Sequence, residues 1–375
     1  MISFNIPYIT GEESRNIMEA INSRKLCGGN RFSVACSDTI RSITGGIEVK
    51  MVPSGTHALE MAAILSQIGQ GDEVIMPSFT FSSTANAFVL RGASIKFIDI
   101  RPDTLNLNED LIEDAITERT KAIVVVHYAG VGAEMDKIMK LAHLHNLVVV
   151  EDAAQGLLSY YKGRHLGTFG ETGCFSFHET KNIQCGEGGA VLINKAEWID
   201  RSNVIMEKGT DRKKFINGEV DKYSWKDIGS SFLMNEITAA FLYAQLQKAK
   251  EITDYRLKLW ESYFMELKNF DKIEIPNIPS YCRHNGHIFY IKMKDEKSRV
   301  RMQKFLQDNG IQAVPHYVPL HSSSFGLKIS SFVGEDVYTT RESSRILRLP
   351  LHNNMSLNDT LYVSQKIKDF FKENF

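Results

Sequence analysis

Short apolar segments recur along the first half of the chain at 73–76, 95–100, 122–126, 148–151, 173–177 and 190–193, and this recurrence most limits what it can fold into. Apolar runs without polar alternation are strands buried on both faces. Helical stretches such as 135–145 lie between several of them, which predicts an α/β fold with a mainly parallel sheet covered by helices. Upstream, 49–52 reads as a strand, 53–56 as a turn and 57–68 as a helix with Ala58, Leu59, Met61, Ala62 and Leu65 on one face. A helix predicted over 235–267 bridges to a smaller lobe, dividing the chain into a large domain (1–245) and a small α+β domain (246–375). That lobe is expected to hold strands at 272–275 and 287–293, a helix over 299–309 capped by Gly310, and a closing helix over 357–371.

In such sheets active groups belong at the carboxyl ends of strands. Two segments there carry chemistry. Lys181 sits in Cys174-Phe175-Ser176-Phe177-His178-Glu179-Thr180-Lys181-Asn182, ahead of Gly186-Glu187-Gly188-Gly189, which makes it a candidate Schiff-base lysine. The run Val148-Val149-Val150-Glu151-Asp152 ends in acid and leads to Ala153-Ala154-Gln155. Pyridoxal phosphate chemistry needs this pair: an amine to hold the aldehyde and a carboxylate to keep the pyridine nitrogen protonated. Singly, most lysines are solvated and most acids at strand ends are caps or surface groups. A third element is the turn Pro53-Ser54-Gly55-Thr56 before a helix. Free N–H groups beside hydroxyls make a phosphate cradle, and also an ordinary capped helix start.

With these segments, the stretches Lys25-Leu26-Cys27-Gly28, Pro77-Ser78-Phe79-Thr80-Phe81, Ser83-Thr84-Ala85-Asn86-Ala87-Phe88, His127-Tyr128-Ala129-Gly130, Glu207-Lys208-Gly209-Thr210 and His316-Tyr317 carry a wider likeness. Over nearly its whole length the chain resembles the DegT/DnrJ/EryC1/StrS family of sugar aminotransferases. The resemblance implies the aspartate-aminotransferase fold (fold type I), pyridoxal 5'-phosphate as cofactor and a homodimer. It implies transfer of an amine from L-glutamate, which leaves as 2-oxoglutarate, to a nucleotide-linked keto sugar. It points most closely to members that turn dTDP-4-keto-6-deoxy-D-glucose into dTDP-4-amino-4,6-dideoxy-D-galactose for cell-surface polysaccharides such as O-antigen lipopolysaccharide and enterobacterial common antigen. A glucose-configured product and amination at carbon 3 are the alternatives within that chemistry.

Laid on this chain, the family pattern makes Lys181 and Asp152 catalytic. It puts Gln155 on the cofactor's phenolic oxygen, Ser54, Gly55, Thr56 and Ser176 at its phosphate, and Phe81 flat on its ring. Lys25, His316 and Tyr317 would reach the sugar. Many relatives carry Gly-x-Asn-x-Arg, whose Asn crosses to the partner's phosphate; here Gly229-Ser230-Ser231-Phe232-Leu233 puts Ser231 in the Asn place and Leu233 in the Arg place. A hydroxyl still donates to phosphate. Lys208 and Arg212 lie in a loop that could meet the α-carboxylate of glutamate. A dehydratase branch of the family has histidine in place of the lysine, and this chain has Lys181. A non-catalytic regulator would carry a basic DNA-binding extension, which does not precede the fold.

A formal net charge of −1 excludes the basic footprint of a nucleic-acid or membrane-surface protein. The apolar stretch 122–133 is broken by His127 and too short for a membrane span. Residues 1–7 lack a basic region followed by an apolar core, so no secretory signal is expected. Five cysteines without CxxC spacing fit reduced thiols and a cytoplasmic enzyme. His143 and His145, two apart on a helix, do not share a face, and no metal site is expected. There is no GxGxxG or GxxxxGK[ST] loop for a dinucleotide or a nucleoside triphosphate.

Overall fold

The computed structural model describes residues 1–374. At its centre is an eight-stranded sheet of β1 (Glu48–Val52), β2 (Glu73–Pro77), β3 (Ser94–Ile98), β4 (Thr120–Val126), β5 (Val148–Asp152), β6 (Thr172–Ser176), β7 (Gly189–Ile193) and β8 (Ser330–Phe332). Their spatial order is β1-β7-β6-β5-β4-β2-β3-β8. β7 runs antiparallel to β1 and β6, and the other pairings are parallel. The mainly parallel sheet expected from the apolar runs is therefore present.

Both faces of the sheet are covered, which is why its strands show no polar alternation. Val150 of β5 joins a core with Ala58, Leu59 and Met61 of the helix Gly55–Leu65. Its neighbour Val149 points the other way, into a core with Ile138 and Leu141 of the helix Met135–Leu144. Strand alternation thus assigns each residue of β5 to one of two layers. A separate core gathers Leu259, Tyr263, Phe289, Leu306, Leu347 and Val363 from the later part of the chain.

Three expectations about that later part differ from what is found. The helix over 235–267 is two helices, Glu236–Gln247 and Ala249–Leu267, parted at Lys248 with φ −107° and ψ 8°. Near the end of the first, Gln245 Nε2 donates to Tyr8 O and to Glu13 Oε1, while the second carries Leu259 and Tyr263 into the other core. The apolar spacing runs on through the break and conceals it. The stretch 272–275 contributes only a bridge between Glu274 and Lys292, and 287–293 shortens to the strand Tyr290–Lys292, paired antiparallel with Ile346–Arg348. β8, whose sequence is Ser-Ser-Phe, returns to the large sheet and pairs with β3. The helix Glu296–Asp308 and the closing helix Leu357–Asn374 stand close to where they were expected, with Gly310 at φ 74° after the first. All five cysteines are free. No helix among the described residues is long and apolar enough to cross a membrane.

Candidate active site

β5 ends in two adjacent acids that strand alternation sends to opposite layers. Glu151, fully buried, points away from the helix Gly55–Leu65; its carboxylate accepts from the N–H groups of Gly167 (2.7 Å), Phe169 (2.6 Å) and Gly170 (2.8 Å) and lies 3.0 Å from His127 Nε2. Asp152 shares the face of Val150. Its oxygens accept from Thr84 Oγ1 (2.7 Å) and the Ala154 N–H (3.2 Å). Thr84 also meets Thr80, hydroxyl to hydroxyl, at 2.7 Å. Two donors hold the carboxylate in one orientation.

Beside Asp152, the chain loops out between the antiparallel strands β6 and β7. Backbone bonds tie this excursion, Phe177 N–H to Gly188 O at 2.8 Å and Glu179 N–H to Gly186 O at 2.9 Å, with Gly186 at φ 77°. Lys181 rides on it, partly buried, and no hydrogen bond or ion pair holds its amine among the described residues. Burial pushes the amine down to about 8; the Asp152 charge opposes that shift and the Arg348 charge adds to it.

The third part is the start of the helix Gly55–Leu65. Ser54 caps it, its Oγ accepting from the His57 N–H at 3.1 Å. Free N–H groups of a first turn attract anions. Gly55 lets this turn approach β6: a Cβ there would stand 2.7 Å from Ser176 Cβ. Thr56 Oγ1 meets Ser83 Oγ at 2.8 Å.

These parts share one cavity of about 570 Å³, lined by Ser54, Gly55, Thr56, Phe81, Asp152, Gln155, Ser176, Lys181, His316 and Tyr317. Gln155 accepts from the Ala129 N–H (2.7 Å) and its Nε2 donates to Tyr317 Oη (3.3 Å). His316 stacks on Tyr317 with ring centres 3.9 Å apart, and its Nδ1 lies 3.0 Å from Tyr128 Oη. Burial, reinforced by the Arg348 and Lys181 charges, pushes the His316 imidazole well below its ordinary range. Phe81 is 59% exposed on this wall.

Lys25 and Ser231 are not brought there. Both are exposed, and Ser231 bridges backbone to backbone with Glu207. Nor do the loop residues considered for a glutamate carboxylate line this cavity. Arg212 is engaged with Glu207 at 2.9 Å and lines a different cavity of about 520 Å³, and Lys208 lines neither. The sequence reading passed over Arg256, His287 and Arg348, which line the Lys181 cavity from the later part of the chain. No local pattern marks them, since an arginine at a strand end is ordinarily a surface residue.

A model of the DegT/DnrJ/EryC1/StrS aminotransferase family matches residues 7–368. The chain belongs to this family. It is 31% identical to the uncharacterized protein MJ1066 of Methanocaldococcus jannaschii, over 98% of this chain and 97% of that one. It is 30% identical to the spore coat polysaccharide biosynthesis protein SpsC of Bacillus subtilis, over 99% and 97%. Among solved structures it is similar to the aminotransferase TlmJ of Streptoalloteichus hindustanus, with a TM-score of 0.91 at 28% identity over 100% of this chain and 99% of that one. The chain is a pyridoxal-phosphate-dependent sugar aminotransferase of fold type I. Its site fits that cofactor: an unpaired amine, an oriented carboxylate and a helix start kept open by Gly55 face one cavity.

Proposed function

We propose that the chain transfers the amine of L-glutamate to carbon 4 of dTDP-4-keto-6-deoxy-D-glucose, giving dTDP-4-amino-4,6-dideoxy-D-galactose for a cell-surface polysaccharide. The observation that carries the reading is the meeting of Lys181, Asp152 and the Ser54-to-Thr56 helix start in one cavity, within a chain of this family. The choice of sugar rests on the stretches 79–88, 178–182 and 207–210, which look like members acting at carbon 4. The naming of SpsC for spore coat polysaccharide agrees with a polysaccharide role.

Pyridoxal phosphate, when bound, supplies an aldehyde that carries the amine and a ring that accepts an electron pair. The residues do the rest. Lys181, lowered to about 8, offers a neutral amine near neutral pH, able to take a proton from the reacting carbon and return it one position away. Asp152, fixed by Thr84 and Ala154, holds a proton at the ring nitrogen. Gln155 presents its amide to the phenolic oxygen, and Ser54, Gly55, Thr56 and Ser176 hold the phosphate. Phe81 covers one face of the ring, while His316 and Tyr317 contact the sugar. Ser231 and Lys25, exposed and outside their own cavity, serve that of a second copy in a homodimer, where Ser231 donates to the phosphate and Lys25 reaches the sugar.

The test is the product formed from L-glutamate and a panel of dTDP- and UDP-linked keto sugars. A small proton coupling between carbons 3 and 4 of the dTDP product marks an axial amine and the galactose form. A large coupling means the glucose form. No aminated sugar from any member of the panel sinks the transaminase reading.

A further inference from the structure

The later part of the chain brings two guanidinium groups to the Lys181 cavity, neither with a carboxylate within ion-pair distance among the described residues. Arg256, 4% exposed, spends its donors on its surroundings: Nε on Gly286 O (3.2 Å) and Nη2 on His287 O (2.8 Å). Arg348, at the end of the strand Ile346–Arg348, is less engaged. Its Nη2 donates to Pro315 O at 3.2 Å, its guanidinium lies 4.6 Å from the centre of the Phe4 ring, and its Nε is buried with no partner. A half-buried guanidinium with unused donors and no counter-charge is a ready partner for an anion.

The surroundings sharpen this. His287 and His316 also line the cavity, and both are driven toward the neutral form, by burial first and then by the cations nearby. The buried carboxylate of the cavity, Asp152, is already engaged by Thr84 and the Ala154 N–H. This end of the cavity therefore has an excess of positive charge, and Arg348 has the donors left over.

We propose that Arg348 binds the α-carboxylate of the amine donor. The assignment rests on the transaminase reading above. A donor's α-carboxylate is one bond from the carbon that Lys181 must reach, so its partner has to stand near that lysine. Arg348 does, closely enough for its charge to act on the Lys181 amine. The diphosphate of a nucleotide-linked sugar is held away from the reacting carbon by the sugar ring, and belongs farther out. A planar fork matches a carboxylate through two parallel hydrogen bonds.

The experiment takes the holoenzyme and Arg348→Gln, with Arg348→Lys as the variant that keeps the charge. Each half-reaction is followed separately by absorbance, with L-glutamate and then with dTDP-4-keto-6-deoxy-D-glucose. Binding of 2-oxoglutarate is measured by calorimetry. Arg348→Gln is expected to weaken L-glutamate and 2-oxoglutarate by roughly 10- to 100-fold, the value of charge-assisted hydrogen bonds, and to slow the sugar half-reaction far less, only through the rise of the Lys181 amine. Arg348→Lys should fall between. An unchanged donor, or a sugar half-reaction that falls as far as the donor's, overturns the assignment. If the unsubstituted enzyme aminates no keto sugar, the reaction proposed above fails while the 2-oxoglutarate measurement still decides Arg348.

Discussion

Lys181 in the cofactor-free protein should titrate near 8 instead of near the ordinary 10.5 of a lysine. Burial is the main cause, because the ammonium loses water and no hydrogen bond replaces it among the described residues. At pH 7 the shift raises the neutral fraction about 300-fold, from roughly 0.03% to roughly 9%. That is the difference between an inert surface amine and a working nucleophile. The neighbouring charges give the signs for two perturbations. Asp152 supports the ammonium, so Asp152→Asn moves the midpoint further down; Arg348 opposes it, so Arg348→Gln moves the midpoint up. The assay is trace acetylation of the cofactor-free protein across pH 6 to 11, with the Lys181 peptide quantified against exposed lysines by mass spectrometry. Only the neutral amine reacts, so its rate levels off above its own midpoint. A Lys181 midpoint indistinguishable from the exposed lysines refutes the desolvation argument, and shifts of the opposite sign in the two variants refute the electrostatic one.

Two further substitutions probe the frame. Gly55→Ala places a methyl 2.7 Å from Ser176 Cβ, so the helix start and β6 must separate; we expect a stability loss of about 1–3 kcal/mol in urea unfolding and weaker cofactor retention on dialysis. Unchanged values for both would show that the cradle yields freely. Glu151→Gln turns part of a carboxylate that meets three N–H groups and His127 into a donor facing donors; about 3–5 kcal/mol should disappear from the unfolding free energy. A loss below about 1 kcal/mol would contradict the role of Glu151 as an internal brace.

The sheet was legible because burial on both faces writes an unbroken apolar run into each central strand. β8 was not, since Ser330-Ser331-Phe332 owes its place to pairing with β3 at the edge and carries no such run. The break at Lys248 was hidden for a related reason. Apolar spacing records that a face is buried, and here the first helix shares one core with Ala249 and Ile252 of the second, which then passes into another core at Leu259 without a change of rhythm. The meeting of Lys181, Asp152 and the Ser54-to-Thr56 turn in one cavity was legible because these residues sit at or near strand ends. Arg348 and Arg256 had no such signal, since they reach this cavity only when the later part of the chain packs against the first.

Adjacent Glu151 and Asp152 show how far a local pattern can reach. Composition treats them alike, and either could be a cap, a brace or a catalytic group. Their distinction comes from strand alternation: Asp152 lies on the face of Val150, which packs with the helix Gly55–Leu65, and Glu151 on the face of Val149, which packs with Met135–Leu144. A register shift of one residue in β5 would exchange their faces, turning Glu151 toward the Lys181 side and Asp152 toward the side of the Gly167-to-Gly170 amides. The apolar pair Val149 and Val150 does not oppose such a shift, since both faces are buried. The polar partners do. Three N–H groups and His127 accommodate Glu151, whose longer side chain reaches them, whereas Thr84 and the Ala154 N–H meet the shorter Asp152 close to the strand end. The hydrogen bonds around these two acids therefore fix the register that turns Asp152 toward the Lys181 cavity, and a shift of β5 would break those to Thr84, His127 and the Gly167, Phe169 and Gly170 amides together.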